Sequence, residues 1–371
     1  MTHEQWERLK GLIDGEALEP LPVGFIIDSP WLPNWAGMSI MDYYASDEKW
    51  FEANLRAVDR FPNVWFLPGF WAEWGMCTEP SAFGARCIWH ENEFPFAEKV
   101  SDNLDDLLKR RRPNPHSDGL PPYVIKRMQL AEARLTAVGH PPRFAVARGP
   151  LNIAGFLMGN TEFLMAMKMD PDKTHAFLDR ITEFLVHWIQ VQTKACRSMD
   201  GVFILDDIVG FCGVEDFDAF AKPYLSRVFT AVDASVRFFH NDAPGLVCAP
   251  HLADIGVNLF NFSHDHPMAE MRRLTGDRVA LLGNIPPRDV LASGTPEDVR
   301  AAVDMLLAAL DDRRRVILSC GGGMPPGVST ENIEAFLDAA SVSSCSHGRE
   351  TETDRARVDA GRFETGAADS Q

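Results

Sequence analysis

Eight short apolar runs, separated by stretches with helical spacing, constrain this chain more than any other feature of its sequence. They are Val23–Ile27, Val64–Leu67, Phe144–Ala147, Val202–Leu205, Val236–Phe239, Val257–Phe260, Val279–Leu282 and Val316–Leu318. Each is rich in β-branched or aromatic residues and apolar at nearly every position. That suits parallel strands covered on both faces, because a solvated face would show polar residues at alternate positions. Helical patterns lie between them, among them Asp47–Arg60, Pro171–Ser198, Val214–Ala234 and Thr295–Leu310. Thr295-Pro-Glu-Asp and Ser329-Thr-Glu-Asn carry helix-start signals before apolar runs. Eight βα units predict an α/β fold, a (β/α)8 TIM barrel rather than an open sheet. The barrel is read as a single domain with a large insertion, Pro68–Arg143, after the second strand.

Residues 1–20 read as an amphipathic helix (Trp6, Leu9, Leu12, Ile13) and a Pro-containing link, and the barrel spans 21–340. Residues 341–371 hold almost no large apolar side chains, so burial cannot offset their ordering entropy and a disordered tail is expected. Lys and Arg number 36 against 53 Asp and Glu, a net charge of −17. The resulting field disfavours nucleic acid and anionic membrane as partners. No apolar run nears the roughly 18 residues of a membrane span, and the first residues lack the apolar core of a signal peptide. Seven cysteines, an odd number with no CxxC pair, read as reduced thiols and a cytoplasmic setting.

Barrel active sites are built at the C-terminal ends of the strands. Reading those positions collects Asp28, Arg148, Asp206, Asp207, His240, Asp242, Asn261, Asn284 and Cys320. A passive scaffold has no reason to gather so many ionisable groups on one rim, so the pattern points to an enzyme. In His240-Asn-Asp242, positions i and i+2 face the same way, so imidazole and carboxylate address one metal or substrate. The plainer reading is a histidine bonded to its neighbouring aspartate. Cys320 is the candidate to complete a metal site with them, with Cys248 or His251 as substitutes. Of Asp206 and Asp207, adjacent and pointing apart, one is expected in the pocket to orient substrate or act as a general acid. Trp71 and Trp74 follow the second strand with Phe70 and are candidates for the pocket wall. Core packing explains them equally well. Arg148 is a candidate clamp for a carboxylate and Asn284 a candidate substrate contact. His264-Asp-His266 reads as a loop or cap and Arg110-Arg-Arg112 as a solvated turn.

Three segments carry a family resemblance: Gly276-Asp-Arg-Val-Ala-Leu-Leu-Gly-Asn-Ile285, Gly294-Thr-Pro-Glu-Asp-Val299 and Gly321-Gly-Gly-Met-Pro-Pro-Gly-Val-Ser-Thr-Glu-Asn-Ile333. Together with Leu205-Asp-Asp-Ile208, Phe217…Pro223-Tyr224 and His240-x-Asp242, they resemble the uroporphyrinogen decarboxylase superfamily. The resemblance covers residues 21–340 and itself implies a (β/α)8 barrel. It implies two chemistries. Tetrapyrrole decarboxylation in this family uses an Arg-rich N-terminal loop, an Asp after the second strand and a late Gly-His-Gly. Here those places read Asp28-Ser-Pro-Trp-Leu-Pro33, Pro68-Gly69 and Gly321-Gly-Gly323. The other branch holds cobalamin-dependent methyltransferases, which move methyl groups between a corrinoid, carried on a partner protein, and small molecules. Their thiol-using members bind Zn2+ through His-x-Cys and a later Cys. This chain keeps His240, has Asp242 for the first Cys, and places Cys320 two residues before the second, where Gly322 stands. The resemblance thus implies a corrinoid-dependent methyltransferase with either a Zn2+ site of His240/Asp242/Cys320 type or a metal-free one. The alternatives are a decarboxylase of uroporphyrinogen or another carboxylated substrate, and a non-catalytic ligand-binding barrel.

Overall fold

The structure is a computed structural model that describes residues 1–243 and 246–341. Eight parallel strands form the barrel: β1 Gly24–Ile26, β2 Trp65–Leu67, β3 Phe144–Arg148, β4 Gly201–Leu205, β5 Val236–Asn241, β6 Leu259–Phe262, β7 Ala280–Ile285 and β8 Val316–Cys320. β3 through β8 pair in sequence order as one parallel sheet, β1 pairs with β2, and the bridge Val23–Leu318 joins β1 to β8. Successive strands in chain order are neighbours because each helical crossover returns the chain beside the strand it left.

Alternate strand residues face opposite sides. Ile26, Leu67, Val146, Phe203, Phe238, Leu259, Leu282 and Ile317 fill the barrel interior, while Phe25, Phe66, Ala147, Ile204, Phe239, Phe260, Leu281 and Leu318 pack against the surrounding helices. Several strands run further than their apolar stretches. β5 continues through His240 and Asn241, β7 through Asn284 and β8 through Cys320, since a polar side chain at the barrel mouth does not stop its backbone from pairing.

Between β2 and β3 the described residues show no ladder, and side chains serve the open edge instead. Gln192, from the helix Pro171–Ala195, accepts from Val146 N (3.0 Å) and donates to Val146 O (2.9 Å). The Glu79 carboxylate accepts from Arg148 N at 3.3 Å. Buried strand-edge groups need partners, and these two side chains supply them.

The N-terminal helix, His3–Asp14, opens with a capping box between Thr2 and Gln5. Its apolar face closes the barrel floor. Trp6 meets Phe144 edge-on at 5.2 Å and donates to Asp200 at 3.2 Å. The segment read as a helix before the barrel is therefore packed into it. Asp47–Arg60 is helical as expected, whereas the helix expected over Val214–Ala234 ends at Phe229 and passes through a π-helical turn at Phe217–Ala221. The insertion carries a short hairpin, Cys87–Ile88 with Phe96–Ala97, and the helix Pro121–Ala137. The tail expected over 341–371 lies outside the described residues, apart from Ser341. Among the described residues no helix is long and apolar enough to cross a membrane.

Candidate active site

A cavity of about 300 Å3 opens at the C-terminal ends of the strands. Asp207, His240 and Asp242 line it, and one ligand atom from each lies within 4.8 Å of the others. His240 ends β5 on the interior face, sharing the parity of Val236 and Phe238, and is buried. Its Nδ1 meets Asn261 Oδ1 at 2.8 Å. The Asn261 amide is fixed because its Nδ2 donates to Leu282 O (2.9 Å) and Cys320 O (3.3 Å). Asn261 therefore offers His240 an oxygen, Nδ1 carries a proton, and Nε2 is left to face the cavity. Nε2 faces Asp207 Oδ1 at 3.6 Å and Asp242 Oδ2 at 3.8 Å. These atoms make a nitrogen and two oxygens available to one cation or one substrate proton.

The Asp207 carboxylate is held from behind. Asn152 donates to Asp207 Oδ2 at 3.3 Å and to Leu205 O at 3.2 Å, and the Asp242 amide donates to Asp207 Oδ1 at 3.3 Å. Burial pushes the Asp207 carboxyl up, His240 works against that, and Asp242 adds to it. Gly322, at φ +118°, lets the β8 loop pass Asp242, since a Cβ there would stand 2.8 Å from its Oδ2.

The other expected site residues separate into two groups. Asp28, Trp71 and Arg148 line the same cavity. Arg148 is spoken for: its guanidinium grips both oxygens of buried Glu73, one at 2.7 Å, and lies 5.2 Å over the Trp71 ring. The rest stand outside this lining. Asp206 turns back to accept from Leu151 N (2.9 Å) and Asn152 N (2.8 Å), capping the helix Pro150–Met158. Cys320 shares parity with Val316 and Leu318, packs in the helix-facing cluster, and directs its thiol at Gly322 O (3.5 Å). The metal-capable cluster takes Asp207 in its place. Asn284 donates to His266 O at 2.6 Å, and Trp74 receives Arg127 at 3.9 Å over its ring. Cys248 is buried against Asn241, and His251 meets Lys222 at 3.3 Å.

Sequence reasoning missed Asn152, Glu73 and Phe94. Asn152 had a signal, being the polar residue in the otherwise apolar helix Pro-Leu-Asn-Ile-Ala-Gly-Phe-Leu-Met. Glu73 and Phe94 had none, because the insertion that carries them lacks strand periodicity.

The comparisons bear on the fold and the family. In structure the chain is similar to a methyltransferase from Methanosarcina mazei, with a TM-score of 0.72 and 19% identity over 90% of this chain and 97% of that one. In sequence it is similar to uroporphyrinogen decarboxylases, 23% identical to that of Pseudomonas fluorescens (83% of this chain, 91% of the relative). It is also 25% identical to that of Thioalkalivibrio sulfidiphilus (81% and 85%). The family description uroporphyrinogen decarboxylase (URO-D) matches residues 6–342, nearly the whole chain. The chain belongs to the URO-D family.

Proposed function

We propose that this protein is a corrinoid-dependent methyltransferase, moving a methyl group between a corrinoid on a partner protein and a small-molecule donor or acceptor. The observation that carries the reading is the Asp207–His240–Asp242 cluster lining a cavity at the barrel mouth. The donor set fits Zn2+: one imidazole nitrogen with its second nitrogen bonded, and two carboxylates, leave a fourth position for substrate. Asp207, His240 and Asp242 would hold the ion, with Asp207 replacing the Cys320 of the sequence-based set. Bound there, zinc would lower the pKa of an acceptor group and make it a better nucleophile. Asn261 aims His240, Asn152 aims Asp207, and Ile26, Met76 and Phe156 wall the cavity with apolar surface. Six described cysteines are free, which suits a cytoplasmic protein.

The decarboxylase reading needs cationic side chains for a polycarboxylated tetrapyrrole. Arg148 is already paired with Glu73, and against the one exposed Arg288 the cavity wall sets Asp28, Asp207 and Asp242. Those charges repel such a substrate. The test is to incubate the protein, as purified and with Zn2+, with methylated free cobalamin and a small thiol acceptor, or with reduced free cobalamin and a small methylated amine or thioether donor, and follow the cobalamin absorbance alongside metal content. Methyl transfer lost in His240→Ala, with zinc near one per chain falling in the same variant, supports the reading. Steady coproporphyrinogen formation from uroporphyrinogen refutes it.

A further inference from the structure

Charge matching around the cavity leaves one group over. Asp207 and Asp242 belong to the cluster at His240, and Glu73 neutralises Arg148. Arg288, which also lines the cavity, is exposed, so water meets its charge. Asp28 has no such relief. It is 9% exposed and lines the cavity, and its Oδ1 is buried with no hydrogen-bond partner among the described residues. Arg148 lies near enough to favour its charged form, but burial outweighs that and pushes the carboxyl up to about 6. A buried carboxylate is costly unless an opposite charge compensates it.

The surfaces beside it restrict what that ligand is. Phe94, Phe156, Met76 and Met324 line the same cavity with aromatic and thioether surface. A methylated onium carries its positive charge without donors, and it gains from aromatic faces and polarisable sulfur. The Trp71 ring already accepts a cation, the Arg148 guanidinium, in this wall.

We propose that the cavity takes a methylated onium compound, a quaternary ammonium or tertiary sulfonium, with Asp28 as its counter-charge. Its methyl groups are the kind of group the proposed transfer moves, so the inference rests on the methyltransferase reading and names the substrate class. Arg288 is left for the remainder of the same molecule.

The experiment compares choline with 3,3-dimethylbutan-1-ol, its uncharged carbon isostere, by calorimetric titration of the unmodified protein at pH 7.5. Choline is expected to bind at least about tenfold more tightly, and Asp28→Asn to bring the two within about twofold of each other. Equal affinities in the unmodified protein, no detectable choline binding, or discrimination that survives Asp28→Asn overturns the proposal. Should Asp28→Asn not fold, the pair is compared in the unmodified protein by thermal shift, where only choline is to protect. Onium binding without methyl transfer to cobalamin sinks the methyltransferase reading alone. Methyl transfer from a neutral donor with no onium binding sinks this one alone.

Discussion

Asp28→Asn is expected to make the unliganded protein more stable at neutral pH while removing part of its binding site. Burial raises the Asp28 carboxyl from its ordinary 3.8 to about 6, so the folded state holds a proton that the unfolded chain has released across that interval. Stability falls with rising pH wherever the native state binds more protons. The loss therefore begins near pH 4 and is complete above pH 6. At roughly 1.4 kcal/mol per pKa unit, a shift of about two units costs about 3 kcal/mol at pH 7.5. Asparagine is nearly isosteric and neutral, so the variant avoids this cost. Its gain should approach about 3 kcal/mol at pH 7.5, less whatever its new amide loses for want of an acceptor, and should vanish near pH 4. Urea unfolding at pH 4.5, 6 and 7.5 reads the difference directly. Glu79, raised to about 7 by burial, remains in both proteins and keeps a residual slope in each. An equal change at all three pH values, or a variant less stable at 7.5 than at 4.5 relative to the parent, refutes the reasoning.

Asp206→Ala should cost about 1–2 kcal/mol in denaturant unfolding through loss of the cap on Pro150–Met158, yet retain bound metal, whereas Asp207→Ala should lose metal at little cost in stability. The same losses in both variants would show that the two carboxylates share one role. Gln192→Leu should destabilise by about 3 kcal/mol, because Val146 N–H and C=O are left buried and unpaired; a change within about 0.5 kcal/mol would mean that β2 and β3 pair directly in solution. Asn261→Ala should weaken Zn2+ binding about 10–100-fold with His240 intact, measured against a chromophoric chelator. Unchanged affinity would place His240 outside any metal site.

The barrel was legible because a strand buried on both faces needs an unbroken apolar run, and eight such runs are hard to arrange otherwise. The strand ends were legible only in part. Apolar reading stops at the first polar residue, so His240, Asn284 and Cys320 were placed after strands that in fact contain them. That one shift decides the ligand set. With Val316 and Leu318 facing the helices, strict alternation within β8 sends Cys320 outward as well, a conclusion available from the sequence once the strand is extended. The choice between Asp206 and Asp207 was not available. It depends on a helix N-terminus that β3 brings alongside β4, and no spacing within Leu205-Asp-Asp-Ile reveals that neighbour. Trp71 and Trp74 diverge for a similar reason: Arg127, from the insertion helix, covers Trp74.

The same insertion converts a shared barrel into an acidic pocket. It supplies Glu73, which takes the Arg148 guanidinium that the sequence offered as a carboxylate clamp. A buried arginine gripped at both terminal nitrogens is no longer a binding site for an anion, since an incoming carboxylate would have to displace Glu73 and leave it uncompensated at a cost of several kcal/mol. With Arg148 neutralised, the charges that face the cavity from low-dielectric surroundings are Asp28 and the cluster at His240. The cluster is suited to a divalent cation and Asp28 to an organic one. The two lie at different strand ends of one mouth, β1 and β5, and line one cavity. Fold alone cannot make that distinction among members of the family; it follows from where one glutamate of a loop comes to rest.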